Sequence, residues 1–152
     1  MPGLYVVDTN VIVSGVTGRR PESAPAWLLS EMLAGRLPFL LSVDLLGEYR
    51  RVLLRPAITL RHGWTTDDVD VFLSALTMTA YLRQPTEIAL GDDPPPTDDP
   101  PPDCPNGDGH IVDLLAHEGC SVLISGDRRL LLAIRGWRNV LTPAEAVIEL
   151  TS

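Results

Sequence analysis

Apolar residues recur along the chain in two rhythms. Short runs bounded by Gly, Pro or acidic residues, at Leu4–Val7, Pro38–Leu41, Val122–Ile124 and Val140–Leu141, read as buried strands. Residues 80–90 read as one more short strand with its flanking loop. Between these runs the apolar positions fall at helical spacing. Val69, Phe72, Leu73 and Leu76 stand at i, i+3, i+4 and i+7, which predicts one buried helix face with Thr66 as its cap. Pro25 ahead of AWLLSEMLAG and Gly35 behind it predict a second helix. Ser42 is placed to cap a third through about Leu54, with Pro56 stopping it. Val11–Val16 reads as a short helical turn. His110–Glu118, closed by Gly119, and Arg128–Ile134 read as helices. Thr142-Pro143-Ala144-Glu145 forms a capping box that opens the last one.

Strands alternate with helices throughout, which predicts an α/β layered fold with a mostly parallel sheet. At 152 residues the chain fits a single domain over 1–152. One stretch breaks the alternation. GDDPPPTDDPPPDCPNGDG, Gly91–Gly109, is too rich in Pro and Asp to pack a core and predicts an extended loop at about 91–107 with polyproline II character.

Composition narrows the function classes. The chain is 45% hydrophobic and 21% charged, ordinary for a globular protein. No apolar run is long enough to span a bilayer, and MPGLYVVD has no signal-peptide pattern, so a cytoplasmic location without membrane contact is expected. Cys104 and Cys120 form no CxxC pair and read as free thiols rather than a zinc site. The net charge is −8 and all 12 basic residues are Arg. Such a chain has little general attraction for nucleic acid, yet clustered carboxylates can recruit divalent cations that then face phosphate.

In a parallel α/β sheet the ligand site lies beyond the carboxyl ends of the strands. Asp8 follows the first strand and Asp127 lies just past Val122–Ile124. Each is either a turn-forming Asp bonded to its own backbone or a ligand. Asp108 stands at the mouth of the His110 helix, as an N-cap or as a third ligand. His110, Asp113 and His117 fall on the opposite face, read as solvated. Glu48 sits at the edge of the stripe Leu45, Tyr49, Val52, where an ionised carboxylate must snorkel, pair or bind a cation. Asp44 is a helix-start charge. Four converging carboxylates cannot all stay ionised and unpaired. A hard cation, Mg²⁺ or Mn²⁺, resolves that conflict and can activate water and stabilise a phosphoryl transition state.

The succession VVDTNVIVSG, SVDLLGEYRRVL, GDGHIVDLLAHEG and VLISGDRRLL resembles the PIN domain across essentially the whole chain, most of all the branch of toxins in toxin–antitoxin systems. The resemblance implies a three-layer α/β/α fold and a Mg²⁺- or Mn²⁺-dependent ribonuclease. Its four catalytic and metal-binding acids match Asp8, Glu48, Asp108 and Asp127, flanked by the supporting polar residues Thr9, Asn10 and Ser125. A Thr is usual where this chain has Ser125. The turn before the third acid departs from the family pattern, with Asp103 the alternative to Asp108. Arg128 and Arg129 are candidate RNA contacts or a solvated face. The implied partners are RNA, a small antitoxin and a second copy of the chain. The alternative is a non-catalytic module of the same fold that binds RNA or protein. A phosphatase with a nucleophilic Asp is disfavoured, because position 10 is Asn and the chain has no Lys.

Overall fold

The structure, a computed structural model, describes residues 4–83, 109–117 and 121–152. Asp108, its alternative Asp103, the Pro- and Asp-rich loop, both cysteines and Gly119 lie outside the described residues, as does the side chain of His117.

Five strands alternate with eight helices among the described residues. They are β1 (Tyr5–Val7), α1 (Thr9–Thr17), α2 (Ala24–Leu33), β2 (Leu40–Leu41), α3 (Val43–Leu53), α4 (Pro56–His62), α5 (Thr66–Thr79) and β3 (Tyr81–Leu82). After the undescribed segment come α6 (Gly109–His117), β4 (Val122–Ile124), α7 (Arg128–Ile134), β5 (Asn139–Leu141) and α8 (Pro143–Thr151). The strands β1, β4 and β5 pair in parallel, as do β2 and β3. A parallel bridge between Tyr5 and Phe39 joins the two groups, so the spatial order runs β3-β2-β1-β4-β5. With helices over the sheet, the architecture is the expected three-layer α/β/α fold.

The strands β1, β2 and β4 are apolar runs because the middle of a parallel sheet is covered on both faces, whereas the edge strand β3 is exposed at Tyr81 and Leu82. Val6, Val7, Leu40, Leu41, Leu123 and Ile124 are all fully buried. Helix α1 packs against α2, α3 and α4. A Cβ on Gly15 would meet the Pro25 carbonyl oxygen at 3.0 Å and Leu29 at 3.2 Å, so the α1–α2 approach depends on glycine there. No helix among the described residues is long and apolar enough to cross a membrane.

Three boundaries differ from expectation. The short turn expected at Val11–Val16 is a nine-residue helix from Thr9, because Asp8 caps it. Pro56 does not merely stop α3 but opens α4 as its first residue; a proline there lacks only an N–H that would have no intrahelical partner. The cap of α5 is Thr65, not Thr66. Its hydroxyl accepts from Asp68 N while the Asp68 carboxylate accepts from Thr65 N. The capping box at Thr142 and Glu145 forms as expected.

Candidate active site

The order of the strands reverses direction at β1, whose neighbours are β2 on one side and β4 on the other. Chain segments leaving β1 and β4 therefore diverge, and the crevice between them is the favoured ligand position of such sheets. Asp8 and Ser125 are the first residues past these two strands.

Asp8 is bound from several directions. Its Oδ1 accepts from Thr9 N at 2.8 Å, the N-cap bond of α1. Its Oδ2 accepts from Ser125 Oγ at 2.7 Å and from Asn10 Nδ2 at 3.0 Å. Asn10 Oδ1 accepts from Gly126 N at 3.1 Å, which fixes the amide orientation, since only the NH₂ group can then face Asp8. Ser125 is fully buried. Its hydroxyl also accepts from Asp127 N at 2.9 Å, so one buried oxygen couples the first acid to the backbone of the last.

Asp127 caps α7 through Oδ1, which accepts from Arg129 N at 3.0 Å. Capping leaves Asp127 Oδ2 without a hydrogen bond among the described residues. Glu48 projects from α3, whose buried positions Leu45, Tyr49 and Leu53 anchor it to the core. One of its oxygens, Oε2, accepts from Thr9 Oγ1 at 2.7 Å and lies 2.8 Å from His110 Nε2. The other, Oε1, has no hydrogen-bond partner among the described residues. Its side chain is 20% exposed and that of His110 15%.

Asp8, Glu48 and Asp127, with Thr9 and Asn10, line one cleft of about 350 Å³. The structure thus brings three of the four candidate acids to one place, together with all three supporting polar residues. Asp108 is outside the described residues, although α6, which follows it, delivers His110 to Glu48. His110 is the residue that sequence reasoning placed on a solvated face; it is half-buried and touches the site. Its neighbour Asp113 is exposed as expected. Arg128 opens onto a separate cavity with Leu131 and Glu145. The guanidinium-bearing residue of the acidic cleft is Arg55, at the α3–α4 junction.

Burial and negative charge also act on Tyr49. Its hydroxyl donates to the Val7 carbonyl, and it is fully buried. Desolvation first, then the charges of Asp8 and Glu48, push the phenol well above its ordinary value of 10.0. Tyr49 is thereby held as a neutral strut beneath the acids.

The family profile described as PIN domain matches residues 5–129, spanning every residue of this cleft. The chain belongs to the PIN domain family. No curated protein matched it. PIN domains are generally nucleases, hydrolases acting on nucleic acid, and typically use divalent metals.

The residues of this PIN domain fit such a metal by donor chemistry. Every carboxylate in the cleft offers hard oxygen, and Glu48 and Asp127 each keep one oxygen unengaged among the described residues. No three His, Cys, Asp or Glu side chains among the described residues are gathered closely enough to enclose an ion.

Proposed function

We propose that this PIN domain is a Mg²⁺- or Mn²⁺-dependent endoribonuclease, acting as the toxin of a toxin–antitoxin pair. The observation that carries the catalytic reading is the convergence of Asp8, Glu48 and Asp127 on one cleft beyond β1 and β4. Asp8, Glu48 and Asp127, with Asp108 as the fourth acid, would hold the cation. When bound, it supplies Lewis acidity toward phosphate and activates water for in-line displacement.

The chain's own groups do the positioning. Ser125 and Asn10 fix the plane of the Asp8 carboxylate, while Thr9 and His110 hold one oxygen of Glu48 and leave the other facing the cleft. Carboxylates oriented in this way by neighbouring donors are already positioned when a cation binds. Arg55 is placed to meet the negative charge of the substrate.

The toxin role rests on the resemblance of the four motifs, because a fold alone does not fix a biological role. Its partners would be an RNA substrate and a small antitoxin in a cytoplasmic setting, with a homodimer as the assembled form.

Purified protein should cleave single-stranded RNA only when Mn²⁺ or Mg²⁺ is present, and Asp8→Asn should abolish cleavage. Asn keeps the N-cap bond to Thr9 N but turns an NH₂ toward the Asn10 NH₂, so the variant's melting temperature is measured alongside and cleavage is compared where both proteins are folded. Wild-type levels of metal-dependent cleavage by Asp8→Asn would sink the reading. Metal binding and RNA binding without any cleavage by the wild type would favour the non-catalytic module. Growth arrest on expression, relieved by a small protein encoded beside the gene, tests the toxin role.

A further inference from the structure

A second, separate cavity opens about one helical turn further along α1. It measures about 370 Å³ and is lined by Thr17, Gly18, Arg19, Leu60 and Arg61. Asn10, Val13 and Ser14 of α1 border the acidic cleft, and Thr17, one turn further, borders the second cavity. Arg55 at one end of α4 lines the first, and Arg61 at the other end lines the second. Since α1 and α4 pack together, both cavities lie along a single α1–α4 seam. From Asn10 to Thr17 the seam runs about 10 Å at the rise of an α-helix.

Charge along this seam runs against the charge of the molecule. The protein carries −8 overall, yet the three charged residues lining the seam beyond the acids are all arginines. Arg36 and Arg50 elsewhere are ion-paired, with Glu31 and Asp70. Among the described residues the guanidiniums of Arg19, Arg55 and Arg61 make no ion pair and no hydrogen bond. An acidic catalytic cleft repels a polyanion and needs compensating cations beside it to admit one. Guanidinium presents a planar fork of donors that matches phosphate.

Resting on the ribonuclease reading, we propose that the α1–α4 seam is the groove for the substrate backbone. Arg55 engages the phosphate at or beside the one that is cut, and Arg19 and Arg61 engage phosphates further along a single-stranded RNA. Cleavage then favours RNA that continues past the acids toward Thr17 over a dinucleotide.

The test separates binding from cleavage. Binding of a labelled single-stranded RNA is followed by fluorescence anisotropy at several salt concentrations, in full-length protein carrying Asp8→Asn. Arg19→Ala, Arg55→Ala and Arg61→Ala should each weaken binding several-fold. The triple variant should flatten the slope of log affinity against log salt by about 2, since each phosphate contact on a single strand contributes about 0.7. Arg36→Ala, the charge-matched control, should bind as its parent does. In protein with Asp8 intact, Arg61→Ala should shrink the KM advantage of a long oligonucleotide over a dinucleotide. All three arginines are exposed, so the variants should fold. A triple variant with parental RNA affinity and salt slope overturns the groove, whatever other anion those arginines hold. Absence of cleavage by the wild-type chain counts against the ribonuclease alone, because the anisotropy measurement still decides the groove.

Discussion

Ser125 Oγ lies 2.7 Å from Asp8 Oδ2, so the ends of β4 and β1 are joined by a side-chain bond as well as by the strand ladder. The serine has one proton and two lone pairs. The proton goes to Asp8, one lone pair takes Asp127 N, and Asn10 Nδ2 stands 3.4 Å away as a weaker third partner. Ser125→Ala should therefore cost about 2 kcal/mol in urea unfolding, the loss of a buried hydrogen bond to a charged group. It should also weaken Mn²⁺ binding about tenfold, as loss of a group that orients a ligand does. Ser125→Thr keeps the hydroxyl and should retain metal affinity. Equal Mn²⁺ affinity in Ser125→Ala and wild type, measured by calorimetry, would show that Asp8 needs no such orientation.

His110 should matter through Glu48. Two donors share Oε2 of that carboxylate, Thr9 from α1 and, with a proton on Nε2, His110 from α6. Removing the ring frees Glu48 to rotate away from the cleft. His110→Ala should raise the Mn²⁺ dissociation constant about tenfold, and His110→Gln, which retains an N–H donor, should recover part of the loss. Electron paramagnetic resonance of free Mn²⁺ reads this independently of cleavage. If Ala and Gln bind the ion alike and as tightly as wild type, the ring is packing only.

What was legible in the sequence follows the range of the interactions. Asp8 and Asp127 stand out locally, each placed just after an apolar run, and Glu48 is marked by the helical spacing of its own segment. The contacts that organise them are distant in sequence. Asn10 and Ser125 are 115 residues apart, and Glu48 and His110 are 62 apart, so no periodicity announces either pair. His110 looked solvated because the polar positions Asp113 and His117 fall on its side of α6, yet Leu114, one turn further on that same side, is fully buried; α3 also packs against α6. Helix α4 was invisible for a different reason. It has no buried residue and so no apolar stripe, leaving Pro56 to be read as an end rather than a beginning. At the α5 cap the choice between two threonines was open to a finer reading. The residue three past Thr65 is Asp68, whereas three past Thr66 is Val69, and only the former closes a capping box.

Tyr49 should make the protein sensitive to alkali. Its phenol is raised well above 10.0 in the folded chain, while an unfolded tyrosine titrates near 10. The stabilisation is therefore fully present below about pH 10 and is lost as the pH climbs from there toward the folded value. Tyr49→Phe should lower stability at pH 7 by about 1 kcal/mol, since the Val7 carbonyl loses a donor. The gap between the two proteins should narrow as the pH rises past about 10, because Phe has no proton to lose. Urea midpoints at neutral and alkaline pH measure both effects. A gap that stays constant across that range would mean the phenol is not held neutral by its surroundings.

Asp127 carries two duties that substitution can separate. As N-cap of α7 its Oδ1 accepts from Arg129 N, and as a cleft carboxylate it leaves Oδ2 available to the proposed cation. Asn preserves the first duty and abolishes the second; Ala abolishes both. Asp127→Asn should remain within a few tenths of a kcal/mol of wild-type stability, whereas Asp127→Ala should lose about 1 kcal/mol, the usual contribution of a cap. Both should bind Mn²⁺ more weakly by a similar factor, and both should cut RNA slowly. Paired measurements of unfolding and Mn²⁺ affinity distinguish the duties. If Asp127→Asn keeps wild-type metal affinity and cleavage, the carboxylate serves α7 alone, and the cation must be held by Asp8, Glu48 and the fourth acid.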